Sequence, residues 1–434
     1  MKYGLIKYKN KPYGRDKQDI NDKGLFNIGD NIQMIAIKRI YTDIMNVPLE
    51  DIIEIDFHDL STYKGDYVLV LINLFFFGCH DLKEKWFPAS PYIIPIFIGL
   101  HLSSRILTEN EVSYFRNYAP IGCRDEFTLS TMRNYGIEAY LFGCVTATLP
   151  RRSVEGGKRN TIFLVDVDED QVIKRLPAKY KKYEVESIHH VMVGDFSLET
   201  YKKADEMAMN LIKRYSEEAV LVLTSRLHCA SPCAAMGIPT IMIVKEKSQR
   251  YSWLDCLINI YTEEEYDIIN WDISGVHFEE LKTKMISYVI KRIKEESFKR
   301  EEIFEISSYF EKERSGYKEP FNVYFSRLVS LASDKTFSYY IWGATALAEE
   351  TYSFIKRHYP NNNFLGLIDQ FNSIEFMGRK SITFSEIMNR KENVVILVTP
   401  TSAIKAIKED LVKSSLNGMA LFTDGSVVSL GSNE

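Results

Sequence analysis

Arg226 and His228 stand two residues apart in Ala219–Val244, AVLVLTSRLHCASPCAAMGIPTIMIV. Two apolar runs flank them, a short helix of small residues follows, and Gly237–Pro239 stops that helix. In a parallel α/β sheet, ligands bind at the carboxyl ends of strands, where helix N-termini direct their free N–H groups. An arginine placed there is a fixed cation, and a histidine is a proton carrier near neutrality. Ser225 and Leu227 complete the bend with a hydroxyl and backbone N–H groups. This is equipment for an anionic substrate. The competing reading is an arginine paired with a buried carboxylate beside a packed histidine; the position ahead of a helix favours the anion.

Three other clusters fall where strands meet helices or loops. In FNIGDN, Asn27 or Asp30 can cap the orphan N–H groups of the next helix, and Gly29 permits a tight turn. Judged locally, capping outweighs catalysis there. In GCRDEFT, Arg124 and Asp125 close a short strand, and a salt bridge and an anion site are equally good readings. His189 and His190 follow a strand-like run, so their rings diverge and at most one faces a given cleft. Lys245, Lys247 and Arg250 follow the Thr240–Val244 run within reach of a phosphate, in a loop that reads as solvated. No His/Cys/Asp/Glu set has metal-ligand spacing, and Cys229 with Cys233 reads as a pair of small buried thiols. No P-loop, GxSxG elbow or HExxH occurs.

The elements that must position these residues alternate between strand and helix patterns. Tyr3–Tyr8, Ile52–Phe57, Tyr67–Ile72, Tyr92–Leu100, Ala119–Cys123 and Glu138–Phe142 read as strands. Gly29–Tyr41 and Thr128–Asn134 read as helices. A polar, glycine-containing linker, Arg151–Asn160, precedes a second alternating unit. There Thr161–Val167 and Glu184–Val191 are strands and Glu199–Tyr215 is a helix. Trp253–Val329 reads as helical, and its Glu/Lys-rich Phe278–Lys312 stretch as a solvated face. A third unit begins near Thr336, with strands at Tyr339–Trp342, Phe364–Asp369, Val394–Thr399 and Met419–Thr423. Helices are expected there at Ala346–Arg357 and Ser402–Lys413. Alternation of this kind means parallel sheets. The third unit's nucleotide fingerprint is poor: Ala344, Thr345 and Ala346 follow Gly343 where a glycine-rich turn would stand, although Asp369 ends the second strand where a ribose-binding acid sits. A docking or regulatory role, toward a partner or a nucleotide, is expected of it.

Composition narrows the classes. A formal net charge of −5 argues against a nucleic-acid binder, and 45% hydrophobic with 26% charged residues is ordinary for a globular protein. Six scattered cysteines without CxxC spacing, and no leader pattern before the first strand, point to a reduced, cytoplasmic compartment. The most apolar runs, Tyr67–Phe77 and Tyr92–Leu100, fall short of the roughly 20 residues a membrane span needs. Any membrane association would therefore be peripheral, at the inner face.

In chain order these clusters resemble the polysaccharide pyruvyl transferase family. The resemblance rests on FNIGDN, on PIGCRDEFTLSTMRNYGIEAYLFGCVTATL across Pro120–Leu149, and on LTSRLHCASPCAAMGIPTIMI across Leu223–Ile243. It covers roughly residues 1–330, and the RLH block is its most specific part. Where many family members carry an Asp-Pro-Ala type stretch, this chain has Gly143-Cys144-Val145, so no role is carried to that place. The resemblance implies a GT-B-like α/β fold, with two Rossmann-like lobes and a cleft between them. Residues 1–150 would form the acceptor-side lobe, 151–330 the donor lobe with a helical tail, and 335–434 a small Rossmann-like accessory domain. It implies transfer of pyruvate from phosphoenolpyruvate to two hydroxyls of a sugar as a ketal, in surface or capsular polysaccharide precursor synthesis. The acceptor would be a lipid-linked glycan, and no cofactor beyond the co-substrate is needed. On this reading Arg226 and then Arg124 grip the donor, supported by Ser225, Leu227 and Lys247. His228, Asp30 and, in lower rank, His190 are the acid–base candidates; Asn27, Gly29 and Asp125 face the acceptor. The alternative is a nucleotide-sugar glycosyltransferase of the same architecture, against which no Glu/Asp pair for a ribose follows the RLH strand. A third reading, a scaffold with an inert cleft, is disfavoured by the joint presence of Arg226, His228, Arg124 and Asp30.

Overall fold

The computed structural model describes residues 2–7, 23–76, 87–102, 107, 109–153, 159–195, 197–295, 299–310, 322–400 and 403–431. Cys79, residues 154–158 of the expected linker, residues 296–298 and 311–312 of the Glu/Lys-rich stretch, and Ser402 lie outside the described residues. The chain divides into two compact units. One spans Met1–Lys318 apart from Phe77–Lys83 and Ser103–Ile106; the other is chiefly Glu319–Glu434.

The first unit opens with β1 (Lys2–Lys7), β2 (Lys23–Asn27) and α1 (Ile28–Arg39). There follow β3 (Ile52–Asp56), β4 (Val68–Ile72), β5 (Phe75–Phe76), β6 (Ile93–Leu102), α2 (Glu109–Asn117), β7 (Ile121–Cys123), α3 (Glu126–Asn134) and β8 (Ala139–Leu141). The described strands form a parallel sheet in the order β3-β1-β4-β6-β7-β8, with β5 beside β6. Every residue of β4, VLVLI, is buried, as befits a central parallel strand covered on both faces.

The second lobe holds β9 (Thr161–Val165), α4 (Glu169–Arg175), β10 (Glu184–Ile188), β11 (Val191–Asp195), α5 (Leu198–Glu218), β12 (Ala219–Thr224), α6 (Leu227–Ala235), β13 (Thr240–Val244) and β14 (Ile260–Thr262). Helices α7 (Glu279–Ile293) and α8 (Arg300–Phe310) follow. Its parallel sheet runs β10-β9-β12-β13-β14. The two Rossmann-like lobes give the expected GT-B-like α/β arrangement within this one unit.

Strand β2 and helices α1 and α6 join the lobes. Strand β2 pairs antiparallel with β11 of the second lobe, placing Asn27 opposite Val191. Helix α1 then wedges between the cores. Its Ile28 and Ile32 pack with Phe163, Val165, Ala208 and Cys229, while Met34, Ala36 and Ile37 belong to the first lobe's core. All nine residues of α6 are buried, and its small side chains allow close approach; Ser231 Oγ lies 2.7 Å from Thr146 Oγ1 of the other lobe.

The second unit contains α9 (Asn322–Asp334), β15 (Ser338–Trp342), α10 (Ala346–His358), β16 (Asn363–Ile368), the short β17 (Glu375–Phe376) and β18 (Arg379–Lys380), β19 (Asn393–Val398), α11 (Ile404–Val412), β20 (Asn417–Phe422) and β21 (Val427–Leu430). Its sheet order is β16-β15-β19-β20-β21, parallel except for the final strand. Asp369 Oδ1 accepts from the backbone N–H groups of Phe371 and Asn372 at 3.0 and 2.9 Å, so this carboxylate shapes its own turn.

The helical reading of Trp253–Val329 missed β14. A three-residue strand has no periodicity, and it becomes a strand only by pairing with β13. The same holds for β2 and β11, five residues each and defined by one another. The seven-residue α4 also went unread. No helix among the described residues is long and apolar enough to cross a membrane.

Candidate active site

The clusters singled out from sequence converge at the N-terminus of α1. Asn27 caps that helix, its Oδ1 accepting from Gly29 N–H at 3.2 Å. Gly29 lies against His228: a Cβ there would stand 3.0 Å from His228 Cβ and 3.1 Å from Nδ1. Asp30, in the first turn, accepts from Gln33 Nε2 at 3.2 Å. Burial pushes the Asp30 carboxyl up to about 6, against the pull of Arg250 and Arg124.

Arg124 follows β7 and has no exposed surface. Its Nη2 donates to Gln33 Oε1 at 2.9 Å, while Nε and Nη1 have no hydrogen-bond partner among the described residues. Buried donors left unpaired cost about 1–3 kcal/mol each, so these two N–H groups have a strong demand for an acceptor. His228 opens α6 in a non-helical conformation (φ −85°, ψ 17°) and is 4% exposed. Its Nε2 likewise has no partner among the described residues. Burial, reinforced by the nearby Arg124 and Arg250, holds the imidazole well below its usual range, so it is neutral at neutral pH. Arg250 faces this cluster too, within electrostatic reach of Arg124, Asp30 and Asp125. The expectation of a solvated loop is therefore corrected for Arg250. It fits Lys245, which is exposed.

Asp125 departs from the acceptor-facing expectation. It is fully buried, caps α3 through Thr128 N–H at 2.9 Å, and holds the buried His101 Nδ1 with its other oxygen. Both oxygens are engaged inside the lobe. Burial lowers the His101 pKa more than the Asp125 partner raises it.

The RLH bend is set by a residue that sequence reading missed. Asp166, just after β9, adopts φ +53°, a left-handed conformation that Asp tolerates better than most residues. Its carboxylate accepts from Arg226 Nε at 2.7 Å, from the His190 backbone N–H at 3.0 Å, and contacts His189 Nδ1 at 2.8 Å. Its carbonyl accepts from Ser225 Oγ at 2.6 Å. Burial alone would raise the Asp166 carboxyl, but the bonds from His189, His190 and Arg226 outweigh it and hold the pKa below the usual value. Arg226 is thus paired with a carboxylate, with 39% of its side chain exposed. Leu227 sends its side chain into the core, leaving only its backbone to the site. Lys247 pairs with Glu265 at 3.3 Å. The adjacent histidines diverge: His189 is largely exposed, whereas His190 has no exposed surface, meets Tyr215 Oη at 2.8 Å, and is pushed down to about 4 by burial.

Gln33, Asn73 and His101 also escaped sequence reading. His101 had a signal, a histidine inside the apolar run IGLHL, and Asp166 ends a strand at the ligand-binding edge. Gln33 and Asn73 carried none. No group of three metal-ligating side chains occurs among the described residues.

Between two Rossmann-like lobes, the buried Arg124 guanidinium, with two N–H donors unpartnered among the described residues, lies beside a neutral imidazole, an arrangement of a kind that suits an anion. The polysaccharide pyruvyl transferase family model matches residues 27–244, half of the chain, and the chain belongs to that family. The match begins at the α1 cap and ends with β13, enclosing every residue of the cluster except Arg250. No curated protein matches this chain. Among solved structures it is similar to the crystal structure of GsuK bound to ADP, at 12% identity and a TM-score of 0.20, spanning 60% of this chain and 58% of that one. A GsuK mutant structure is similar at 11% identity and a TM-score of 0.19, over 63% and 68% of the two chains.

Proposed function

We propose that this protein moves pyruvate from phosphoenolpyruvate onto two hydroxyls of a sugar as a ketal, on a lipid-linked precursor of a surface or capsular polysaccharide at the cytoplasmic face of the membrane. Membership of the family supports pyruvylation in polysaccharide synthesis. The observation that carries the donor assignment is Arg124, wholly buried with Nε and Nη1 unpartnered, next to His228 with Nε2 unpartnered.

Phosphoenolpyruvate presents a carboxylate and a phosphate, and two arginines, Arg124 and Arg250, stand in the cluster to receive them. Arg226 is the third cation, held by Asp166 at the bend, and the N–H groups opening α6 add to the same field. Protonation of the donor's methylene carbon makes it a methyl group and develops positive charge on the neighbouring carbon. One sugar hydroxyl adds there, phosphate leaves, and the second hydroxyl closes the ketal. Of the two hydroxyl protons, one replaces the proton spent on the methylene and the other leaves with phosphate. Asp30, with its raised pKa, suits proton donation; neutral His228, with Nε2 open, suits proton acceptance. His190 Nε2 is bonded to Tyr215 Oη and its backbone N–H to Asp166, so His190 takes no proton-transfer role in this scheme. Asn27, exposed beside Gly29, is the acceptor-side residue, while Asp125 holds His101. No further cofactor enters this scheme.

Incubating the protein with phosphoenolpyruvate and lipid-linked glycans, and following phosphate release and product mass, tests the proposal. The expected product is the glycan heavier by one pyruvylidene group, with one phosphate released per ketal. Phosphate release without that gain would reduce the activity to hydrolysis. Sugar transfer from a nucleotide donor would replace the proposal with a glycosyltransferase.

A further inference from the structure

We infer that Gln33 is a positioning residue that fixes which oxygen of Asp30 carries a transferable proton and holds Arg124 in place beside it. The inference rests on the pyruvyl-transfer reading for its chemistry, and on hydrogen-bond logic for its geometry.

The orientation of an amide side chain is settled by the donors and acceptors around it. The backbone N–H of Val145 is only a donor, and it reaches Asn73 Oδ1 at 2.9 Å. Asn73 Nδ2 therefore points the other way and donates to Gln33 Oε1 at 2.8 Å. Arg124 Nη2, also only a donor, reaches the same Oε1 at 2.9 Å. Both lone pairs of that carbonyl are taken, so Gln33 Nε2 faces Asp30 and donates to Oδ1 at 3.2 Å. An Oδ1 that accepts this bond is the poorer place for the acid's proton and favours Oδ2; the Asn27 side chain also bonds this carboxylate, and Arg124 and Arg250 are the cations that face it. Gln33 and Asn73 have no exposed surface, so water does not compete for these bonds. Gly99 makes room for the relay: it sits at φ +109° in β6, and a Cβ there would collide with Asn73 Oδ1.

The chain of bonds runs from the loop carrying Gly143-Cys144-Val145, through β4's end, to the acid on α1. It gives that loop, where the family's usual residues are missing, a positioning task in this protein. A glutamate at position 33 would keep the bonds to Arg124 and Asn73 but set a second carboxylate against Oδ1, forcing two acids to share a proton.

The test uses Gln33→Glu and Gln33→Met in the full chain, each assayed with phosphoenolpyruvate and glycan across pH. Gln33→Glu should lower kcat about tenfold or more and move the alkaline limb of the kcat profile, where Asp30 loses its proton, up by about one unit. Gln33→Met should lower kcat with a smaller upward shift, because it only removes the donor to the carboxylate. Unchanged profiles with altered stability alone would reduce Gln33 to packing and overturn the inference. If wild-type protein transfers no pyruvate, the pyruvyl-transfer reading falls, and Gln33 is judged without substrate. Unfolding free energy against pH, in Gln33→Glu, Asp30→Asn and the double variant, should show an upward-shifted titration in Gln33→Glu only when Asp30 is present. A shift that survives Asp30→Asn, or none at all, overturns it. Gln33→Met carries the same comparison if Gln33→Glu does not fold.

Discussion

A guanidinium without exposed surface is expensive to bury, and Arg124 offsets little of that with its single bond to Gln33. Replacing a buried ion pair with apolar side chains of similar volume is often neutral or stabilising by about 1–4 kcal/mol, and Arg124 has no ion-pair partner among the described residues to be left behind. Arg124→Met is therefore expected to melt no lower than wild type while losing donor-dependent turnover by two orders of magnitude or more. Calorimetry and phosphate-release kinetics on one preparation check this; a large drop in melting temperature with activity retained would show a structural arginine. His190 makes the second prediction at this scale. Its folded pKa of about 4 lies below the unfolded value, so the neutral ring's contribution is full above the unfolded pKa and is lost as pH falls toward 4. That loss amounts to about 3 kcal/mol. His190→Gln should flatten the acid side of the stability curve between these values, measured by denaturant unfolding; an unchanged slope would show that other groups govern it. Asp30 acts with opposite sign. Its raised pKa means stability falls as pH rises through about 6.

At the scale of elements, α1 does most to assemble the site. Its cap, Asn27, and its acid, Asp30, were visible as a cap-and-turn signature, and its apolar positions as helical periodicity. Its role as a wedge was not visible, because Ile28 and Ile32 meet partners such as Phe163 and Cys229 that are remote in sequence. Gly29 shows how tight the wedge is. Alanine at a helical position is worth roughly 0.5–1 kcal/mol over glycine in propensity. The added Cβ would meanwhile press on His228 at 3.0 Å, closer than ordinary contact. Gly29→Ala should change stability by less than about 1 kcal/mol, since gain and strain oppose, yet cut kcat about tenfold by displacing the imidazole. Unaltered kcat would mean that His228 has room to move. The RLH bend teaches a related lesson. Its residues were legible as a strand-end cluster, but Asp166, which holds Arg226 and the His189–His190 segment, comes from the neighbouring strand's end.

For the whole molecule, the chain separates into a two-lobed unit that contains every site residue and a smaller α/β unit with cores of its own, around Trp342, Ile396 and Phe422 on one side of its sheet and Ile341, Leu367 and Leu397 on the other. A fragment comprising Glu319–Glu434 should fold alone, with cooperative unfolding of about 5–15 kcal/mol. Circular dichroism with thermal and denaturant melts decides; a non-cooperative, largely unstructured fragment would show that the unit depends on the rest of the chain.

What the amino-acid order determined by itself was local: which runs are buried strands, where helices start, and which charged residues fall at strand ends. These follow from side-chain periodicity and from caps and turns a few residues long, as in Val68–Ile72, Asn27 and the Ser225–His228 bend. What only the tertiary structure decided is which of those residues meet and which spend their charge on each other. Arg226 is paired and Arg124 is not, Arg250 turns inward, and Gln33 meets Asn73 and Arg124 across three separate segments. Such pairings are set by parallel strands laid side by side through long crossovers, and no local pattern in the chain encodes them.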